Sequence, residues 1–136
     1  MYISSRTTAA THYRQTQVLT ASGVQLIVLL YDSAIQAIEL ASDGITRRHQ
    51  PDKARFLGRA VAIVGELSSV LDFERGGEIA TSLYRLYDYM LSEFTQANLR
   101  NDTRHLDGPL RCLKELRGAW YTVAQQQDQP MSLSRE

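Results

Sequence analysis

Three groups of side chains in this sequence are of the types that chemistry uses, and each falls short on spacing. Asp72, Glu74 and Glu78 gather around Gly76-Gly77, and paired carboxylates are common tools of acid–base catalysis. Glu78, however, stands where a negative charge favours the start of a helix, and its two neighbours read as solvated loop residues. His12, His49 and His105 are scattered over the amino-terminal stretch and two breaks, so each reads as a surface side chain. No Glu is followed by a His at the Glu-x-x-His spacing of a carboxylate-bridged metal site in a bundle. Cys112 has no neighbouring His, which rules out a zinc framework of the usual spacing. Set among Leu110, Leu113 and Leu116, it reads as a buried core thiol. Gly76-Gly77 is not followed by Lys-Ser or Lys-Thr, so no phosphate-binding loop forms there. The residues therefore predict no enzyme, no metal and no cofactor, and leave binding as the function class.

The elements that would position a binding surface are helical. Ser22-Gly23-Val24-Gln25 matches a capping box, with the Ser hydroxyl accepting from an early backbone N–H and the Gln reaching back. Ile27, Tyr31, Ala34, Ile38, Ala41 and Ile45 then recur at helical spacing, while Asp32, Gln36, Glu39 and Asp43 fall on the opposite face. The first two turns are apolar nearly all round, so that helix needs cover on more than one side. A break spans Arg47 to Pro51, and Pro51 suits the first turn of the next helix, where its missing N–H costs little. Leu57, Ala60, Val61, Val64, Leu67 and Leu71 mark that second helix, flanked by Phe56, Ile63 and Val70. Gly76-Gly77 is expected to end it in a turn. Ile79, Leu83, Leu86, Tyr87, Met90, Phe94 and Ala97 mark a third helix, and Asn98 to Asp102 a break. A fourth helix carries Leu110, Leu113, Leu116, Trp120 and Val123. Asp107-Gly108-Pro109 predicts a restart or kink there, with Leu106 in a preliminary turn, because an internal proline removes a hydrogen bond and clashes with the preceding turn.

Four amphipathic segments with short breaks predict an all-α, antiparallel four-helix bundle. The expected organisation is an amino-terminal arm over 1–21, mobile or forming a short extra helix, then the bundle over 22–125 and a flexible tail over 126–136. A chain of 136 residues fits one such domain. The formal net charge is +0, which argues against nucleic acid, whose binders carry a basic excess; the cluster Arg47-Arg48 next to His49 reads as solvated loop charge. Neutrality also gives little protection against self-association, so a homodimer of the empty protein is an expectation. One cysteine gains nothing from an oxidising compartment. Met1 to Thr20 lacks the apolar core of a signal peptide, and the apolar run Leu26 to Tyr31 is too short to span a bilayer. The expected location is the cytoplasm, with no membrane insertion.

The helices carry more apolar positions than one narrow seam requires. Leu26, Leu29 and Leu30 diverge from the first helix's stripe, and Tyr84 and Leu91 from the third's. Two readings stand at this point: a wide core contact or cover by the arm, and a groove for a partner, since large apolar patches rarely persist uncovered on a monomer.

Thr20-Ala21-Ser22, Gln25-Leu26-Ile27 and Leu30-Tyr31-Asp32 resemble the start of the flagellar secretion chaperone family FliS. Leu71-Asp72-Phe73-Glu74-Arg75-Gly76-Gly77-Glu78-Ile79-Ala80 is similar to that family's junction between second and third helices. Leu86-Tyr87-Asp88-Tyr89-Met90, Ala97-Asn98 and Leu116-Arg117-Gly118-Ala119-Trp120 continue the likeness in order, from Tyr13 to about Val123. The resemblance implies a cytoplasmic export chaperone that binds the disordered carboxy-terminal region of flagellin, prevents premature polymerisation and, once loaded, is recognised by the flagellar type III export gate. It implies no enzymatic step. A client helix laid in apolar grooves needs anchors at helical spacing, and periodicity offers Leu26, Leu30, Ile63, Leu67, Tyr84 and Leu91. Tyr13 matches an aromatic of the family's amino-terminal segment. With Val18, it is expected to shield apolar surface and move when flagellin arrives; the competing view makes Tyr13 a fixed edge of the core. Asp107-Gly108-Pro109 departs from the family, which continues its last helix there. Two other functions remain: a chaperone or adaptor for a different export substrate, and a structural bundle that only self-associates.

Overall fold

A computed structural model describes residues 23–127. They form four helices: α1 (Gly23–Thr46), α2 (Gln50–Ser69), α3 (Phe73–Arg100) and α4 (Arg104–Gln127). Short links make successive helices antiparallel. α1 packs on α2 and α4, and α3 packs on the same two, which gives a four-membered ring with α1 and α3 on the diagonal. No strand occurs among the described residues. The expected capping residue Ser22, the arm with Tyr13 and Val18, and the tail beyond Gln127 lie outside them.

The core follows the 3.6-residue period. Tyr31, Ala34, Ala37, Ile38 and Ala41 of α1 have no exposed surface, and Val64, Leu67, Met90, Phe94, Leu106 and Leu113 meet them from the other helices. Small residues on α1 allow a close approach. At its end, a Cβ on Gly44 would stand 2.8 Å from the backbone nitrogen of Lys53, so α1 and α2 nearly touch there. By length and apolar composition α1 could cross a membrane, but its fully buried stripe is the spine of this bundle.

Local caps fix the links. His49 Nδ1 accepts from the Asp52 N–H at 3.2 Å and starts α2, with Pro51 in its first turn. Asp72 accepts from the Arg75 N–H at 3.0 Å and starts α3. Asn101 adopts the left-handed conformation that ends α3. Lys53 is buried, and its ammonium donates to the Asn98 carbonyl at 3.2 Å and to Asn101 Oδ1 at 2.6 Å. It thereby places a positive charge at the negative end of α3 and ties α2 to it.

Several boundaries differ from the sequence reading. α3 begins at Phe73 rather than after Gly76-Gly77, because Asp72 can cap a first turn there. Gly77 then breaks that helix internally, at φ 52° and ψ −124°. α3 runs on to Arg100, leaving a break of only Asn101 to Thr103. α4 neither restarts nor stops at Pro109. It runs as one helix from Arg104, so Leu106 belongs to it and is buried in the core. Pro109 lies early in α4, where only one backbone bond is lost, and its ring is fully buried. Gly108 gives way to Tyr89, whose hydroxyl occupies the space a Cβ would fill. α4 also extends past the expected start of the tail, to Gln127. Cys112 is half-buried at the edge of the core rather than within it.

Among the described residues, a polar contact crosses the core. The Tyr31 and Tyr87 hydroxyls, on the diagonal helices α1 and α3, are hydrogen-bonded at 2.6 Å. Burial, the largest cause in both, pushes both phenols above their ordinary value, so both stay protonated at any physiological pH. Tyr87 has the Tyr31 hydroxyl as its partner, and Tyr31 is also hydrogen-bonded to the Trp120 side chain. Tyr31→Phe should therefore cost about 1–3 kcal/mol by stranding the Tyr87 hydroxyl, whereas the Tyr31→Phe/Tyr87→Phe double variant should cost clearly less than twice that. Urea unfolding of the three variants reads the difference, and additive losses would mean that the hydroxyls act independently.

Candidate functional site

The end of the bundle where α2 passes into α3 is left open. Two features of the chain cause this. α2 stops at Ser69, with Val70 closing its last turn through an N–H to the Glu66 carbonyl at 3.2 Å. α3 then makes one capped turn before Gly77 breaks it. A positive φ with that ψ is open to glycine and strained for other residues. The first turn, Phe73 to Gly76, is thus set at an angle to the rest of α3.

Beneath this turn lies a hollow of about 320 Å³. Leu67, Leu83 and Tyr87 supply buried walls, Ile27 of α1 and Trp120 of α4 close its sides, and Val70 and Ile79 stand at its mouth. Val70 is 58% exposed and Ile79 70%. Phe73, half-exposed on the first turn, meets the Tyr84 ring edge-on, with centroids 6.1 Å apart. Asp72 and Arg75 are the charged lining residues, held 3.7 Å apart at the rim. This is a surface for apolar side chains with no general acid or base inside it.

Two further recesses follow the helix seams. Between α2 and α3, Leu57, Gly58 and Val61 face Phe94 and Leu99 across about 350 Å³. Between α1 and α4, Val28 and Leu29 face Tyr121 and Ala124 across about 360 Å³, beside the Asp32–Arg117 pair at 2.7 Å. Val61, Leu99, Leu29 and Tyr121 are all exposed. Among the described residues, no three His, Cys, Asp or Glu side chains converge on a place for a metal ion. His105 lies instead against Glu93 at 3.0 Å, across α4 and α3.

The predicted binding residues fall at different depths. Leu67 lines the hollow, and Tyr84 stands beside it through Phe73. Leu30 and Leu91 are half-buried against the core, and Leu26 is half-buried on α1. Ile63 is 8% exposed and belongs to the core. Tyr13 and Val18 lie outside the described residues. Periodicity did not single out Val70, Phe73, Ile79 or Trp120 as site residues. It marks Val70, Ile79 and Trp120 only as helix-face positions, because their place at a hollow depends on how α3 enters the bundle.

The family model described as flagellar protein FliS matches residues 6–127 of this chain. The chain is 38% identical over 106 residues to the flagellar secretion chaperone FliSB of Pseudomonas aeruginosa, covering 78% of this chain and 84% of that protein. It is 37% identical over 111 residues to the flagellar secretion chaperone FliS of Salmonella typhimurium, covering 81% and 82%. The corresponding protein of Vibrio cholerae is 35% identical over 104 residues, covering 76% of each.

The break at Gly77 can be tested directly. A Cβ there meets no atom within 4 Å, so any penalty comes from the backbone alone. Gly77→Ala should lower stability by about 1–3 kcal/mol. Gly118→Ala, at an exposed position inside α4 with equally open space, should raise it by about 0.5–1 kcal/mol. Thermal melts of both variants give the comparison, and a Gly77→Ala variant as stable as the parent would remove the strain argument.

Proposed function

The chain belongs to the FliS family of flagellar export chaperones, which are not enzymes, and from that premise we propose that its client is the carboxy-terminal region of flagellin. The client is held in the cytoplasm in a form that cannot polymerise and is passed to the flagellar type III export gate. The observation that carries this reading is the hollow beneath the first turn of α3, with Val70 and Ile79 exposed at its mouth. A disordered segment that folds on binding loses a few kcal/mol to ordering, so it needs broad apolar contact to hold. The hollow and the two seam recesses offer that contact on one bundle, at places where an amphipathic helix can lay anchors at i, i+3, i+4 and i+7.

Leu26, Leu30, Ile63, Leu67, Tyr84 and Leu91 keep their proposed part in client binding at different depths. Leu67 and Tyr84 act at or beside the hollow, and the others support the helix faces around the recesses. Tyr13 and Val18 belong to the proposal as the arm that covers apolar surface until the client arrives.

Calorimetric titration with the carboxy-terminal segment of the same organism's flagellin is the test. One-to-one binding with a negative heat-capacity change is expected. A Val70→Asp/Ile79→Asp variant should keep its fold, since both side chains are exposed, and bind at least about 10-fold more weakly, a change of ~1.4 kcal/mol. Undiminished binding by that variant would move the client off the hollow. No binding by the folded parent would turn the search to another export substrate.

A further inference from the structure

Phe73 and Tyr84 lie about three turns apart on α3, which in a straight helix puts about 16 Å between their Cα atoms. The bend at Gly77 lets their rings meet edge-on, with centroids 6.1 Å apart. The first turn is thus folded back over the body of the helix. Two hydrogen bonds close that turn on itself: the Gly76 N–H donates to the Asp72 carbonyl at 2.8 Å, and the Arg75 N–H to the Asp72 carboxylate at 3.0 Å. On the body, the Thr81 hydroxyl donates to the Gly77 carbonyl at 3.2 Å. Between the two sets lie the φ and ψ of Gly77, and glycine turns about them more freely than any other residue.

Gly76 seats the turn. A Cβ there would stand 2.8 Å from the Ala80 Cβ, so the lack of a side chain at Gly76 is what lets the turn come down on Ala80. Ala80 is buried and lines the hollow, together with Asp72, Arg75 and Gly76 of the turn. The side chains of the turn bury little surface in return. Phe73 is half-exposed, Glu74 is exposed, and the Arg75 side chain is 91% exposed. A short, internally bonded unit therefore rests on the hollow by one close backbone approach and one ring contact, with a glycine joint behind it.

We propose that the first turn of α3 is a lid on the hollow, seated by Gly76 against Ala80 and swinging about Gly77, and that it lifts before an apolar side chain of the client fills the space. The entry step rests on the flagellin reading above; the lid does not. Lifting separates Phe73 from Tyr84 and uncovers Ala80, Leu83 and Tyr87 in the wall of the hollow. The apparent affinity for the client is then its affinity for the open form scaled by the fraction of molecules that are open.

Trp120, the single tryptophan of the chain, lines the hollow and serves as the probe. Gly76→Ala should lift the lid: the Ala80 Cβ sits one bond from the backbone of a buried helix face, so the turn has to give way. Acrylamide quenching of Trp120 in the client-free protein should rise at least about 2-fold in that variant as the open fraction grows. Gly76→Ala/Ala80→Gly returns the space and should bring quenching back to the parent's level. Phe73→Ala, at an exposed position, removes the ring contact with Tyr84 and should also raise quenching. Melting curves confirm that each variant is folded, and if Gly76→Ala does not fold, Phe73→Ala decides alone. Quenching at the parent's level in folded Gly76→Ala, or a rise that Ala80→Gly fails to reverse, would overturn the lid. Stopped-flow mixing with the flagellin segment tests the entry step, and association should be at least about 2-fold faster in Gly76→Ala. An unchanged rate in a variant whose lid lifts by the quenching measure, and which binds the client, would overturn entry through the lid. Absence of client binding by the parent, with quenching as expected, would sink the flagellin reading and leave the lid standing.

Discussion

Everything in this bundle is arranged against the small-residue face of α1. Ala34, Ala37 and Ala41 let neighbouring helices come close, and at Gly44 the backbone of α2 takes the space of a side chain. Close approach brings Tyr31 far enough across the core to reach Tyr87 on the diagonal helix. Larger residues on that face would hold the helices apart and leave the two hydroxyls without each other, and a buried unpaired hydroxyl is costly. The polar contact is therefore a consequence of the packing and a check on it, since it forms at one spacing and register of the four helices.

A tightly packed centre leaves apolar surface over at the periphery. The helices are long and amphipathic, but the ring of four buries only their inward stripes. Leu29, Val61, Val70, Ile79, Leu99 and Tyr121 remain exposed. Their distribution follows the seams and the α2–α3 end. Scattered surface leucines need no explanation; these residues gather along seams and one end, where the proposed client would cover them. Surface ion pairs such as Arg117–Asp32 and Lys114–Glu39 hold α4 to α1 at its outer edge and add little stability at their exposure.

Much of the fold was legible from periodicity, and the site was legible only in part. Of the surplus apolar positions, Leu30 and Leu91 pack on the core, while Leu29 is exposed and lines a recess between α1 and α4. Ile63 and Val61 lie two residues apart on one helix, and one is buried while the other is exposed. A hydrophobic pattern shows that both are apolar and cannot show which neighbour covers them. The family likeness was carried by several stretches in order, and one of them, around Gly76-Gly77, shapes the open end of the bundle.

By itself the sequence determined the helical class, the four segments, the core stripe of α1 and the lack of a spacing suited to metal or phosphate chemistry. These are local properties: side-chain type, a 3.6-residue period and motif spacing are written along the chain. Tertiary structure decided the rest. Asp72 capping an early turn and Gly77 breaking it set where α3 begins, the burial of the Pro109 ring allowed α4 to run through a proline, and Lys53 became a buried cap for a helix far along the chain. Each outcome depends on which distant group fills a space or accepts a proton donor, and that is settled only when the helices meet.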